Sequence, residues 1–422
     1  MRASLAWHAS LREFLMKSHI LMVMCLCLWG GVAPAQDKQH TPSVTLSQAV
    51  NSAWARAVVA REATGQLTKA DADKSAAQRL WAKSPSLEYS QRDNRFQADT
   101  GLKETEFGVV WPVWQWGQRG AQNTLAASAL TKADHNAQFV RFKLAAEVRE
   151  AIWMTKDAEV EYGEAVLLAE TLTRLARDVD RRVSAGDLAR VDSLVAHGER
   201  LAALALQSEA SQKLSAMLAR WQNLTGLRTP LSTEAATEQP SALKSVIAHP
   251  ELLLSIQSAD EAKKKLELVE ASNREAPELK VGMRQELAAR TQPGQSTLIV
   301  GFRLPLGTSD RNRPLLAAAL TDVEVSTTQE QRTQERIESE HELAKQALTF
   351  AQQQLQSAKE RADLLNERTA LIEKSFKAGE TSLPDYLRAV SLSSQAQTAY
   401  LRQISKTYLA TARFNQSLGV MP

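Results

Sequence analysis

In "STLIVGFRLPL", residues 296–306, Leu298, Val300, Phe302 and Leu304 fall on one side of an extended chain. Thr297, Ile299, Gly301 and Arg303 fall on the other. A period of two describes a strand with one apolar and one polar face. The same alternation sets Leu279, Val281 and Met283 against Lys280, Gly282 and Arg284, and sets Phe107, Val109 and Trp111 against Glu106, Gly108 and Val110. Leu87 and Tyr89 begin a weaker fourth stripe. Strands are therefore predicted at about 85–92, 105–113, 277–287 and 296–306. The sequence holds no other β structure to cover the apolar faces, so lipid is the economical partner. Each segment has about the ten residues needed to cross a bilayer at a tilt. Four strands are too few to close, since the smallest stable barrels need about eight. Open edges in lipid leave backbone groups unpaired at several kcal/mol each. The strands must be pooled with those of other copies, in a number the sequence does not set.

"FGVVWPVWQWGQRG", residues 107–120, places Trp111, Trp114 and Trp116 where the alternation stops. Pro112 ends the ladder there, as Pro305 does in the fourth strand, because proline offers no N–H. Tryptophans at such a level read as a membrane-interface belt. A ligand cleft is the alternative, and for Trp116 simple packing between helix and strand is a third possibility.

The chain is written twice, at an offset of about 193 residues. "ARAV" at 55 matches "AHPE" at 248, "PSLEY" at 85 matches "PELKV" at 277, and "WPV" at 111 matches "LPL" at 304. "SAGDLARVDSL" at 184 matches "KAGETSLPDYL" at 377, and "RWQNLTG" at 220 matches "RFNQSLG" at 413. Several anchors kept in order at one spacing mark an internal duplication. The first repeat spans 36–226, with a long helix at about 119–184 and a returning helix at about 188–224. The second spans 241–422, with the corresponding helices at about 311–377 and 384–417. Residues 227–240, rich in Pro, Ser and Thr, read as a linker.

Inside the first long helix Leu144, Val148, Ala151, Thr155, Ala158, Tyr162, Ala165, Ala169, Leu172, Ala176, Val179 and Val183 recur in steps of four and three. That is a heptad seam, and a second runs from Ile337 through His341 and Leu348 to Phe376. Its many alanines predict close helix approach. Such a helix is roughly 100 Å long at about 1.5 Å per residue, too long for a compact globular domain.

The first 35 residues stand apart. Arg2, Arg12 and Lys17 precede an apolar run from Ile20 to Trp29, followed by Ala33-Pro34-Ala35 as a small-x-small cleavage site. This is the pattern of a secretory signal, and Met16 is an equally good start for it. Both cysteines, Cys25 and Cys27, lie within it, so disulfides and thiolate metal sites are not expected in the mature chain. Removing Arg2, Arg12, Lys17 and Glu13 from the totals of 51 basic and 48 acidic residues leaves 48 against 47. So even a balance makes nucleic acid a poor partner.

At this point the chain resembles the TolC family of outer-membrane efflux proteins. The resemblance rests on the duplicated helix-strand-strand-helix-helix unit, the prolines at the strand-to-helix exits, and the Gly-containing turns with an aspartate six residues on. It implies a mainly α fold with a transmembrane β-barrel contribution, in which a homotrimer builds a twelve-stranded barrel in the outer membrane and a coiled-coil barrel across the periplasm. It implies as partners a periplasmic adaptor (membrane fusion protein) and an inner-membrane pump of the resistance-nodulation-division type. Length and the short C-terminus look most like the heavy-metal efflux branch, with metal cations or small toxic compounds as cargo. The family's periplasmic tips correspond to Gly186-Asp187-Leu188 and Gly379-Glu380-Thr381, expected as the adaptor contact. Asp192 and Asp385 take the positions that line its constriction, where solvated helix face is the competing reading. Phe376 and Thr381 depart from the family's closing links, leaving Arg190 or Arg388 as substitutes.

No nucleophile-base pair, phosphate loop or His-rich zinc motif appears, so neither an enzyme nor a cofactor is expected. His40, His135, His197, His249 and His341 are scattered without ligand spacing, and His341 reads as a packed seam residue. The leading expectation is a passive exit duct. A periplasmic coiled-coil adaptor or tether that does not span the membrane is the alternative.

Overall fold

The computed structural model describes residues 44–422, apart from 95, 97–100, 243–244, 273, 289–290, 292 and 308. The expected secretory signal, with both cysteines, lies outside the described residues. The chain begins with α1 (Leu46–Arg56) and α2 (Val58–Ala77), then β1 (Ser86–Asp93) and β2 (Lys103–Pro112). The long α3 (Gln118–Ala185) and the returning α4 (Arg190–Thr225) complete the first repeat. A short α5 (Thr233–Ala236) leads to α6 (Pro250–Ala271), β3 (Glu278–Leu287), β4 (Gln295–Arg303), α7 (Ser309–Lys377) and α8 (Leu383–Ser417). Paired elements start 191–193 residues apart: 58 and 250, 86 and 278, 103 and 295, 118 and 309, 190 and 383.

Helix α3 has 68 residues and α7 has 69, so each is about 100 Å long. Neither survives on propensity alone; each is held by its seam against a returning helix. Every position of the first seam is buried or half-buried, from Leu144 to Val183, and so is every position of the second. Alanines dominate the facing side of α4, where Ala196, Ala203 and Ala210 are buried at heptad spacing. Small side chains at the contact allow the helix axes to approach closely.

Two findings differ from the sequence reading. The expected single short helix of the first repeat is broken at Ala57, whose backbone is extended (φ −67°, ψ 134°). The turn lets α1 bury Leu46, Ala49, Val50 and Ala53, while α2 buries its own alanine stripe, Ala60, Ala63, Ala70 and Ala77. Residues 227–240 are not a free linker. Leu231 and Ala236 enter the core beside Val148, Ile152, Trp153 and Trp221, and the Trp221 indole N–H donates to the Thr229 carbonyl at 3.2 Å. Arg149, only 2% exposed, holds the segment from below. Its guanidinium donates to both Glu238 carboxylate oxygens, at 2.8 and 2.6 Å, to the Gln416 side chain, and to the Val420 carbonyl at 3.0 Å. The connection between the repeats is thus pinned to the middle of α3 and to the C-terminal residues.

The four strands form one antiparallel sheet in the order β1-β2-β3-β4, leaving β1 and β4 as edges. Among the described residues no helix is long and apolar enough to cross a membrane.

Candidate functional site

The sheet gathers residues from both repeats because β2 and β3 pair across the duplication. Its register puts the alternating apolar residues into rows. Leu87, Val109, Val281 and Val300 form one row, and Tyr89, Phe107, Met283 and Leu298 the next. Trp111, Leu279 and Phe302 form a third. These side chains are exposed or half-buried, with Leu87, Leu298, Val300 and Phe302 all more than 60% exposed. A row of Gln91, Thr105, Gln285 and Ser296 borders the apolar zone on one side. The three rows cover about 14 Å along the strands, at ~3.4 Å per residue. That is less than the ~25 Å apolar band of outer-membrane barrels. Leu304, Leu306 and Trp116, all exposed beyond the strand ends, are available to extend it. Strand β4 stops at Arg303 rather than 306, one residue short of Leu304, because Pro305 cannot donate to a ladder.

The tryptophans divide by role. Trp111 leans against Trp81, with ring centroids 6.2 Å apart. The Trp114 indole N–H donates to the Arg79 carbonyl at 3.1 Å, tying the sheet exit to the segment after α2. Trp116 is fully exposed, which removes packing between helix and strand as its explanation. Trp81 belongs to the same cluster, and only its contact with Trp111 reveals it.

The opposite face of the sheet carries an ion-pair ladder that single strands do not announce. Lys280 lies 2.9 Å from a Glu88 oxygen and 2.8 Å from a Glu106 oxygen. Arg284 pairs with Glu104 and approaches Glu106 at 4.0 Å, and Arg92 lies 3.7 Å from Glu104. Gly108 and Gly282 stand directly opposite each other beneath this ladder. A Cβ on Gly282 would lie 2.6 Å from the Phe107 carbonyl oxygen, so the backbones meet there only because neither residue has a side chain.

At the far end of the helices, each long helix ends in a Schellman motif. The Gly186 N–H donates to the Val183 carbonyl at 3.1 Å, and the Asp187 N–H to the Arg182 carbonyl at 2.9 Å. Gly379 and Glu380 repeat this with Phe376 and Ser375, at 3.1 and 3.0 Å. Both glycines have positive φ, 90° and 83°, a conformation costly for other residues. Leu188 is partly buried against the core of the tips, whereas Asp187 and Glu380 are exposed. The Thr381 hydroxyl meets that of Ser375 at 2.6 Å.

Asp192 and Asp385 both occupy the third position of a returning helix and cap it. The Asp192 carboxylate accepts the Ala189 backbone N–H at 3.2 Å. Asp385 accepts the Ser382 hydroxyl at 2.6 Å and returns its own N–H to that oxygen at 3.4 Å. In "SLPD", residues 382–385, Ser382 is the N-cap residue of α8. Phe376 is buried between the stacked Tyr386 ring, at 5.1 Å, and the Arg182 guanidinium, at 5.2 Å. Arg182, on the first hairpin, thus reaches the second at this level. Among the described residues neither Arg190 nor Arg388 forms an ion pair. Asp180 receives the Ser193 hydroxyl at 2.6 Å and lies 3.0 Å from His197 Nε2, linking α3 to α4. The Ser193 hydrogen bond, with His197 and Arg200 nearby, holds its carboxyl below the usual aspartate range.

His341 Nδ1 meets the Ser417 hydroxyl at 3.1 Å and its ring leans on Phe414, so this seam residue is packed and hydrogen-bonded. Among the described residues no three His, Cys, Asp or Glu side chains stand together as a metal site.

No family model and no curated protein sequence matches this chain. Solved structures match its fold. CusC, described for conformational changes accompanying folding and transmembrane channel formation, is 13% identical and superposes with a TM-score of 0.75 over 90% of this chain and 92% of that one. The outer membrane protein VceC from Vibrio cholerae is 13% identical, with a TM-score of 0.69 over 89% of this chain and 96% of that one. The Neisseria gonorrhoeae MtrE outer membrane channel in its open state is 14% identical, with a TM-score of 0.70 over 89% of each chain. The chain has the fold of TolC-type outer-membrane channels.

Proposed function

We propose, from that fold, that this chain belongs to the TolC family and is the outer-membrane exit duct of a tripartite efflux or secretion system. It conducts passively and performs no chemistry of its own. One observation carries the reading: the register collects the apolar residues of all four strands on one exposed face and leaves the outer edges of β1 and β4 without a partner strand. An exposed apolar sheet with two open edges is stable neither in water nor alone in lipid. Pooling four strands from each of three copies gives a closed twelve-stranded barrel, lipid outside and the polar face toward the lumen. The paired long helices then continue the duct through the periplasm.

In this reading Trp111, Trp114 and Trp116 lie at the membrane interface, with Trp81 beside them. The tips at Gly186-Asp187-Leu188 and Gly379-Glu380-Thr381 dock the periplasmic adaptor, which connects to an inner-membrane pump of the resistance-nodulation-division type. Asp192 and Asp385, repeated by three-fold symmetry, form carboxylate rings at the constriction that favour cations. Metal cations and small toxic compounds are the proposed cargo.

Fractionation tests the reading. The protein is expected in outer membranes and as a detergent-extracted trimer. Recovery as a soluble periplasmic monomer overturns the channel and favours a coiled-coil adaptor or tether. Challenge of a deletion strain with metals, dyes and antibiotics identifies the cargo.

A further inference from the structure

The ladder on the polar face alternates in sign across three strands: Glu88 on β1, Lys280 on β3, Glu106 on β2, Arg284 on β3, Glu104 on β2 and Arg92 on β1. Three carboxylates meet three cations, so the group is neutral as a whole. The six residues are not equivalent. Lys280 stands on β3 yet reaches Glu88 two strands away, and it also holds Glu106. The residue opposite Glu88 on the intervening strand is Gly108. A Cβ there would already touch Lys280 Cε at 3.5 Å, so any longer side chain would fill the path of the lysine. Among the described residues Lys280 is the one cation paired with Glu88 and the nearer of two for Glu106. Arg284 is backed up, because without it Glu106 keeps Lys280 and Glu104 keeps Arg92.

We propose that Lys280 determines the charge selectivity of the barrel segment. The proposal rests on the channel reading, in which this face lines the lumen. With Lys280 in place, the wall at this level presents no net charge to a passing ion. Without it the group carries one net negative charge in every copy, with Glu88 left without a cation and Glu106 held only by Arg284 at 4.0 Å, and symmetry gathers that charge into one negative band. A like-signed band in a confined, water-filled bore concentrates cations and excludes anions. The natural barrel therefore passes either sign, and discrimination is left to the helical tips. Such a wall suits a duct whose pump has already selected the cargo.

Full-length protein reconstituted in planar bilayers under a potassium chloride gradient tests this. The measurements use an Asp192→Asn/Asp385→Asn background, so that the tip carboxylates do not set the reversal potential. Lys280→Gln is expected to raise the potassium-to-chloride permeability ratio at least about threefold. Glu88→Gln, which leaves excess positive charge, is expected to move it the other way. Arg284→Gln should shift it toward potassium by less than Lys280→Gln does. Conducting pores whose reversal potential is unmoved by both Lys280→Gln and Glu88→Gln overturn the proposal while leaving the channel intact. Should Lys280→Gln fail to assemble, the Glu88→Gln shift decides alone, and its absence overturns the proposal. Wild-type protein that forms no pore overturns the channel reading, and this inference with it.

Discussion

Asp385 shows how one side chain takes on two duties at once. It caps α8 through Ser382, and its charge faces solvent near the tip. Asp385→Ala removes both, whereas Asp385→Asn keeps an acceptor for the Ser382 hydroxyl and removes only the charge. The alanine variant is expected to lose about 1 kcal/mol of stability, and the asparagine variant much less; thermal denaturation separates them. Both should lower cation preference in planar bilayers by the same factor if the ring is real, and unchanged currents would remove it. Arg149 offers a sharper case. Its partner Glu238 is mostly shielded from solvent, so Arg149→Met leaves a largely buried carboxylate without a counter-charge. The expected cost is about 3–5 kcal/mol. Adding Glu238→Gln should recover part of it, because the uncompensated charge is then gone. Denaturant titration of the two variants reads the difference.

Among the elements, the sheet and the long helices answer to different constraints. The helices bury a seam against each other and need no second copy to do so. The apolar side of the sheet stays exposed or half-buried, and Val300, 67% exposed, stands in its middle row on the edge strand β4. Val300→Arg is expected to cost on the order of 2–4 kcal/mol once the face meets lipid, and to impair barrel assembly. Heat-resistant oligomers on a native gel report it; normal insertion of this variant would show that the face does not meet the bilayer. Seams and strands announce themselves by period within one segment, so Leu144 to Val183 and Leu298 to Phe302 were legible. The ladder was not. Lys280 and Glu88 lie 192 positions apart and meet only through the register of three strands.

For the molecule as a whole, the repeats are locked together around the middle of α3, and a buried histidine sits beside that lock. His249 caps α6 by accepting the Glu251 N–H on Nδ1 at 3.3 Å, and its ring stands edge-on to Phe142 of α3. Burial pushes its pKa below the ordinary histidine value; Glu251, Glu340 and a backbone bond to Gln416 oppose the shift, and Arg336 adds to it. The folded state thus prefers the neutral ring. This contribution is fully present above the unfolded value of about 6.5 and is lost as pH falls toward the lower folded value. Melting temperature should therefore fall between pH 7.5 and 5. His249→Asn, which keeps a capping oxygen but cannot titrate, should flatten that fall. An equal pH dependence in the variant would assign it to other groups.

The segment at 227–240 marks the boundary of what composition can tell. Its Pro, Ser and Thr content describes a connector, but Leu231, Ala236 and Glu238 are placed by a core whose other walls lie far away in the chain. Trp81 and Trp111 likewise meet only once α2 and β2 are set side by side. The amino-acid sequence by itself determined the duplication, because the chain matches itself in order at one offset, and the heptad seams, the two-faced strands and the glycine turns, because each of these is a periodicity or a backbone requirement complete within a short stretch. Only the tertiary structure decided which charges neutralise one another, which cation reaches Phe376 at the tips and how the two repeats are clasped. Those depend on distances between residues that no local pattern relates.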